Sequence, residues 1–278
     1  MSMVRLPSLA PKPRAFSLRR IGAMVMRHVY VLRTSWPRLF ELAYWPTLQM
    51  VLWGFISQFL ASNSSWVAQA SGVLIAAVIL WDVLFRGQLG VSVSFLEEVW
   101  SRNLASLFVS PLRPYEMIVS LMVMSLIRTL IGVLPAALLA ILLYNYSIFT
   151  LGLPLLAFFV NLMVMGWAAG LMISALILRF GVAAESLAWI TIFALAPVSG
   201  IYYPVGSLPA WLQPLSWALP SAHVFEGMRA VMFDGVFRLD HLAAAIGLNA
   251  VYLGIGAALF LYSFHVARQR GLLMKLGE

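Results

Sequence analysis

Residues 151–178, LGLPLLAFFVNLMVMGWAAGLMISALIL, run without one charged side chain until Arg179. About 20 helical residues cross the apolar core of a bilayer, and a stretch this long and apolar reads as one such span. The rest of the chain agrees. Of 278 residues, 62% are apolar and only 10% are charged, against roughly 45–50% and about 25% in soluble domains. Too few charges remain to cover a water-facing surface. Six spans would use roughly 120 residues, which leaves tails and loops but no separate soluble catalytic domain. The sequence predicts an all-α polytopic membrane protein with a single transmembrane domain over 1–278.

Working outward, apolar runs place the spans at 39–60, 68–86, 117–146, 151–178, 186–203 and 242–266. Uncharged turns at Ala61–Val67 and Tyr144–Thr150 join the first to the second and the third to the fourth. Glu41, Pro46 and Gln49 fall in the leading half of the first span, and Pro197 and Gly200 break the distal end of the fifth. Ahead of the spans, 16–37 reads FSLRRIGAMVMRHVYVLRTSWP. Arg19, Arg20, Arg27 and Arg33 are interleaved there with Ile21, Met24, Val25, Val29 and Val31. That pattern suits an amphipathic helix lying in the membrane interface, with a plain juxtamembrane linker as the other reading.

The net charge of +8 rests on arginine, since Lys12 and Lys275 are the only lysines. Fifteen of the 18 basic residues fall in the N-terminal tail, the second-to-third loop, the position after span four or the C-terminal tail. The positive-inside rule then places both termini in the cytoplasm of an inner (plasma) membrane protein. These charges read as topology signals and lipid anchors, not as a nucleic-acid surface.

Several chemistries are excluded. There is no cysteine, so no disulfide, thiol catalysis or iron–sulfur site is available. A phosphate-cradling loop needs Gly before Lys, but Pro11 and Met274 precede the two lysines. His223 and Glu226 lack a second histidine at zinc-binding spacing, and His28, His223, His241 and His265 lie in unlike segments. No metal site is expected.

Two constellations stand out. The first is FLEEVWSRNLASLFVSPLRPYE, 95–116, with a helix expected over 95–110. Glu97 and Glu98 open it, Glu98 and Arg102 stand at i,i+4, and Pro111 and Pro114 stop it. It is too polar to cross the bilayer and too apolar for free solvent. It reads either as a helix docked on a cytoplasmic protein or as a lid on its own bundle. The second is the connection at 201–241, rich in Trp and Leu and divided by Pro204, Pro209, Pro214 and Pro220. Two re-entrant helices at 207–235, about Leu208–Ala218 and Ala222–Phe233, fit it best, with Ser221 as N-cap and Gly235 as terminator. Non-helical backbone at that depth needs protein or a wet cavity beside it, which favours an outer gate over an interfacial anchor.

In this order of elements the chain resembles the integral-membrane permease subunits of type-2 ATP-binding-cassette exporters. The family's acidic residues followed by S/T-P-L-x-R are matched by Glu97, Glu98, Ser110, Pro111, Leu112 and Arg113, although Arg113 follows Leu112 directly. Its P-x-S-G-x-x-x-P-x-x-x-L-P is matched by Pro197, Ser199, Gly200, Pro204, Leu208 and Pro209, and a later P…E-x-x-R run by Pro220, Glu226 and Arg229. Trp100–Asn103 stand where the family often has a Gly-Thr pair. The resemblance implies an ATPase-coupling helix using Glu97, Glu98, Arg102, Ser110, Pro111 and Arg113. It implies an outer gate at Tyr202, Tyr203, Pro204, Pro220, Glu226 and Arg229. It also implies two copies of a separate ATPase subunit, which would bind the ATP and Mg, and a second copy of the permease. This chain would then hold no cofactor and be no enzyme by itself. The wording of the motifs is nearer to the drug, lipid and glycolipid exporters than to the polysaccharide exporters. An ion-coupled carrier is the rival from another class, but it needs acids at the midplane, and Glu41, Asp82 and Glu185 lie toward span ends.

Three intramembrane charges complete the reading. Asp82 and Arg86, at i,i+4, most simply pair with each other. Arg128 stands in the inner third of the third span, within snorkelling reach of the interface, with the lining of an inner vestibule as the alternative.

Overall fold

A computed structural model describes residues 16–63 and 65–270. It is helical throughout, with no strand among the described residues. Helix α1 (Leu18–Thr34) leads to α2 (Trp36–Asn63), α3 (Ser65–Trp100), the short α4 (Leu104–Val109), α5 (Pro114–Tyr144) and α6 (Leu153–Phe180). Then come α7 (Glu185–Leu195), α8 (Gln213–Trp217), α9 (Pro220–Asp234) and α10 (Leu239–Gln269).

Four helices are long and apolar enough to cross a membrane among the described residues: α3 from Gly72, α5, α6 and α10. Helix α2 is long, but Arg38, Glu41 and Gln49 sit in its leading half. Helix α7 has 11 residues, about 16 Å at 1.5 Å per residue, half of a roughly 30 Å hydrocarbon core. The outward faces of the long helices are apolar, as lipid requires. Leu134, Leu138 and Leu142 of α5 and Ile246, Val251, Ile255 and Leu259 of α10 are exposed. The chain is a multi-pass membrane protein.

Helix α1 buries Ile21, Met24, His28 and Leu32, one stripe at helical spacing, against α5. A break at Ser35 separates it from α2. The span expected at 68–86 is instead the first half of a 36-residue helix. Nothing between Asp82 and Trp100 breaks it, and Arg86 is buried at 8% exposure rather than ending the helix at an interface. The expected helix over 95–110 is therefore two pieces: the last turns of α3 and the six residues of α4. Arg102, at φ 54°, turns the chain between them. Helices α2 and α3 also take up all of the expected 61–67 turn but residue 64, which lies outside the described residues, as do Lys12 and Lys275.

Packing centres on α6, which lies against α3 on one side and α10 on the other. Small residues let the backbones approach. A methyl group added at Gly166 would come within 2.8 Å of the Gln88 nitrogen, and one at Gly170 within 2.8 Å of the Gln88 carbonyl. Across the second contact, Asn249 Nδ2 donates to Asn161 Oδ1 at 3.0 Å. Helices α5 and α3 are tied by the Ser125 hydroxyl donating to the Gly87 carbonyl at 2.8 Å, and α5 and α2 by the Tyr144 hydroxyl donating to the Val51 carbonyl at 2.7 Å.

Gly166→Leu should force α3 and α6 apart and lower stability by about 1–3 kcal/mol, read as a drop in Tm in detergent. Gly247→Leu, with nothing within 4 Å of the added carbon, should leave Tm where it is.

Candidate functional site

The end of α3 carries the most concentrated charge in the protein. Glu97 and Glu98 do not point into solvent. Glu98 is 2% exposed and pairs with Arg27 at 2.8 Å, while His28 Nε2 faces it at 3.5 Å. Glu97 pairs with Arg128 at 2.7 Å and Arg38 at 3.4 Å, and His28 Nδ1 faces it at 3.8 Å. Two adjacent carboxylates thus hold α1, α2 and α5 onto α3. The i,i+4 pairing of Glu98 with Arg102 does not apply, because α3 ends at Trp100 and Arg102 stands outside it. Arg128 does not snorkel: it is buried at 6% exposure and turned to Glu97. A buried ion needs such a partner, since burial of an unpaired charge costs several kcal/mol.

A second clamp follows the loop. The Ser110 hydroxyl donates to the Leu107 carbonyl at 2.6 Å and accepts the Leu112 N–H at 3.3 Å, which turns the chain into Pro111. Arg113 is the extended N-cap of α5. Its N–H donates to Glu116 at 3.0 Å, Ser17 N–H donates to the same carboxylate at 3.0 Å, and Arg20 Nε donates at 2.8 Å. An acid in the first turn also suits the helix dipole. The hydrogen bond to Glu116 raises the Arg20 guanidinium pKa above its ordinary value. Leu104 of α4 is buried on the bundle, whereas Trp100, Ser101, Arg102, Ser106 and Pro111 are exposed. So the loop presents a small ridge just below the carboxylates.

At the other end of α3 the expected gate residues fall into one knot. Arg229 Nη2 donates to the Gly200 carbonyl at 2.6 Å and pairs with Glu226 at 3.1 Å. Glu226 in turn accepts the Val205 N–H at 2.6 Å. Gly200 has φ +65°, and a side chain there would press on Val205 and Arg229. Tyr203 donates to the Pro197 carbonyl at 2.6 Å, and Tyr202 stacks on Trp53 of α2 with ring centroids 4.5 Å apart. Pro204 is exposed and Pro220 is buried at the start of α9. Ser221 is therefore not the N-cap. Leu219 holds that position, and the Ser221 hydroxyl instead bonds Ser199 at 3.0 Å. Gly235 closes α9 in the left-handed conformation expected of it. The first re-entrant helix shrinks to the five residues of α8, with Pro209 ahead of it and Pro214 in its first turn.

Between the two ends lies a cavity of about 560 Å³, bounded by α2, α3, α5 and α7 and reaching Leu32 of α1. Arg38, Glu97 and Arg128 line its end at the carboxylate cluster; Glu41, Asp82, Arg86 and Glu185 supply its remaining charge. Asp82 and Arg86 close no ion pair with each other within 4 Å. Arg86 is turned toward α5, where a methyl on Gly132 would meet its Nε at 2.6 Å.

Sequence reasoning passed over His28, which takes its meaning from two acids about 70 positions away in the chain. It also missed the meeting of His223 and His241, with Nδ1 atoms 3.2 Å apart. The cue for His28 was its place on the stripe shared with Ile21, Met24 and Leu32.

The family model described as ABC-2 type transporter matches residues 21–233, from α1 to the end of α9. No curated protein matches the chain.

Glu97→Gln should strand Arg128 as a buried, unpaired charge and cost about 3–5 kcal/mol, seen as a large fall in Tm. Asp240→Asn, in the exposed pair with Arg238, should leave Tm unchanged.

Proposed function

The chain belongs to the ABC-2 type transporter family, and on that premise we propose that it is the permease subunit of an ATP-driven exporter. Two copies would assemble with two ATPase subunits that bind the ATP and Mg. The substrate would be hydrophobic, of lipid, drug or glycolipid type, taken from the cytoplasm or inner leaflet. Members of this family generally work with an ATPase subunit, and the absence of a Gly-Lys phosphate loop in this sequence fits an engine on another polypeptide.

The observation that carries the proposal is the ridge of Trp100, Arg102, Ser106 and Pro111, exposed immediately after the carboxylates that fasten α1, α2 and α5 to α3. A push on this ridge acts on α3 directly and on three further helices through Glu97 and Glu98. The two acids transmit force; the exposed ridge meets the ATPase. Packed helices move as bodies rather than deforming continuously, so the displacement reaches the far end of α3. There the Arg229–Gly200 and Tyr202–Trp53 contacts form the outer gate that must part. Basic residues gathered around the ridge and the N-terminal tail put this end in the cytoplasm of the inner membrane. Six crossings follow if α2 spans and if α7 continues through Ser199–Val205 into the re-entrant α8 and α9.

The test is co-expression with an ATP-binding-cassette ATPase subunit as candidate partner. Arg102→Glu combined with Ser106→Glu should weaken ATPase retention by about tenfold or more. Full retention by the double variant would remove the ridge from the interface, and failure of the unmodified chain to retain any ATPase would remove the exporter reading.

A further inference from the structure

The cavity between α2 and α7 is unbalanced in charge. Its lining holds four carboxylates, Glu41, Asp82, Glu97 and Glu185, against three guanidiniums, Arg38, Arg86 and Arg128, a formal surplus of one negative charge. Glu97 has its partners in Arg128 and Arg38 at the cluster end. Asp82 is 4% exposed, yet it accepts no hydrogen bond and closes no ion pair among the described residues. Arg86 lies against Gly132 of α5, its buried Nε has no hydrogen-bond partner, and its guanidinium attracts Asp82 and Glu41 only from a distance. A buried carboxyl group without a partner is expensive, and this one lines a volume large enough for a small organic molecule.

The walls identify the rest of the occupant. Trp45, Trp189 and Phe193 line the cavity and are also exposed at 52%, 46% and 62%. They belong to the apolar outer faces of α2 and α7, together with Phe40, Tyr44, Leu48 and Ile190. The cavity therefore opens on an apolar surface, which suits an occupant that partitions into the bilayer. Once inside, it meets aromatic faces, which attract cations through their π-electrons, and surplus negative charge.

We propose that this cavity binds amphiphilic organic cations, with the cationic centre at Asp82 flanked by Glu41 and Glu185, and the apolar body against Trp45, Trp189 and Phe193. The inference rests on the exporter reading for its physiological use: it narrows the substrate to membrane-partitioned cations.

Binding can be measured on the permease alone, in lipid nanodiscs, without ATP or ATPase. Tetraphenylphosphonium and tetraphenylborate have nearly the same shape and opposite charge, so equilibrium dialysis of the two isolates the sign. Protein-free nanodiscs supply the partitioning background. The phosphonium should bind saturably and the borate only at background. Asp82→Asn should weaken phosphonium binding by about tenfold, and Glu185→Gln and Trp189→Ala by a few fold each, with Asp240→Asn as the unaffected control. Should Asp82→Asn fail to fold, the Glu185→Gln and Trp189→Ala values decide the matter. Saturable borate binding, phosphonium binding at background, or phosphonium affinity unmoved by the cavity substitutions overturns the proposal. None of these results bears on whether an ATPase co-purifies, so the exporter reading stands or falls separately.

Discussion

Two neighbouring carboxylates withdrawn from water fix the arrangement of this protein. Once Glu97 and Glu98 lie at the buried end of α3, each needs cationic partners, and the cost of leaving either charge unpaired is several kcal/mol. Arg27 of α1, Arg38 of α2 and Arg128 of α5 meet that need from three directions, and the His28 ring lies between the two carboxylates. The requirement is stricter than apolar packing, which tolerates exchange of similar volumes. It accounts for an amphipathic N-terminal helix that lies against the bundle, and for an arginine inside an apolar helix.

The same cluster organises what lies on either side of it. Below are α4 and the exposed turn through Arg102; above is the cavity, whose lower wall includes Glu97 and Arg128. A single 36-residue helix, α3, runs from the cluster past Asp82 and Arg86. Its contact with α6 is backbone to backbone at Gly166, and at Gly170 the Val91 side chain and the Gln88 carbonyl close the gap, so the two helices have little room to slide independently. The knot of Arg229, Glu226 and Gly200 at the far end is built from hydrogen bonds to backbone carbonyls and an N–H. Rigid coupling along the axis, with a polar lock at one end and an ion-pair clamp at the other, suits alternating exposure of the cavity between them.

The helices were legible in the sequence because their signal is local: long uncharged runs, basic residues at their ends and prolines at the breaks. Helices α5, α6 and α10 fall within a few residues of the apolar runs that predict them. That the connection at 201–241 folds into short helices was legible from prolines spaced along an apolar stretch, and Gly235 behaved as its position required. What the sequence hid was partnership over distance. Arg86 looked like the end of a span because charge near an apolar run usually marks the interface. The folded chain instead buries it against Gly132, 46 positions later, and α3 continues. Glu97 and Glu98 looked like an exposed docking pair because their partners, Arg27, His28, Arg38 and Arg128, are scattered over three helices. His28 was set aside as one histidine among four unlike ones. The Asp82–Arg86 spacing matched a helical ion pair, but spacing along one helix does not say which side chain a neighbouring helix will claim.

The central claim is that motion of a separate ATPase enters at the ridge after α3 and crosses the carboxylate cluster to the far gate. The chain has no cysteine, so spin labels can be placed at Ser106→Cys and Ser207→Cys without altering native thiols. In the complex with its ATPase, pulsed electron–electron resonance should show the 106–207 distance shifting when a non-hydrolysable ATP analogue is added. The shift should vanish when Arg128→Gln uncouples the cluster in a complex that still retains the ATPase. A distance unmoved by nucleotide, or a shift that survives the loss of Arg128, would contradict the account.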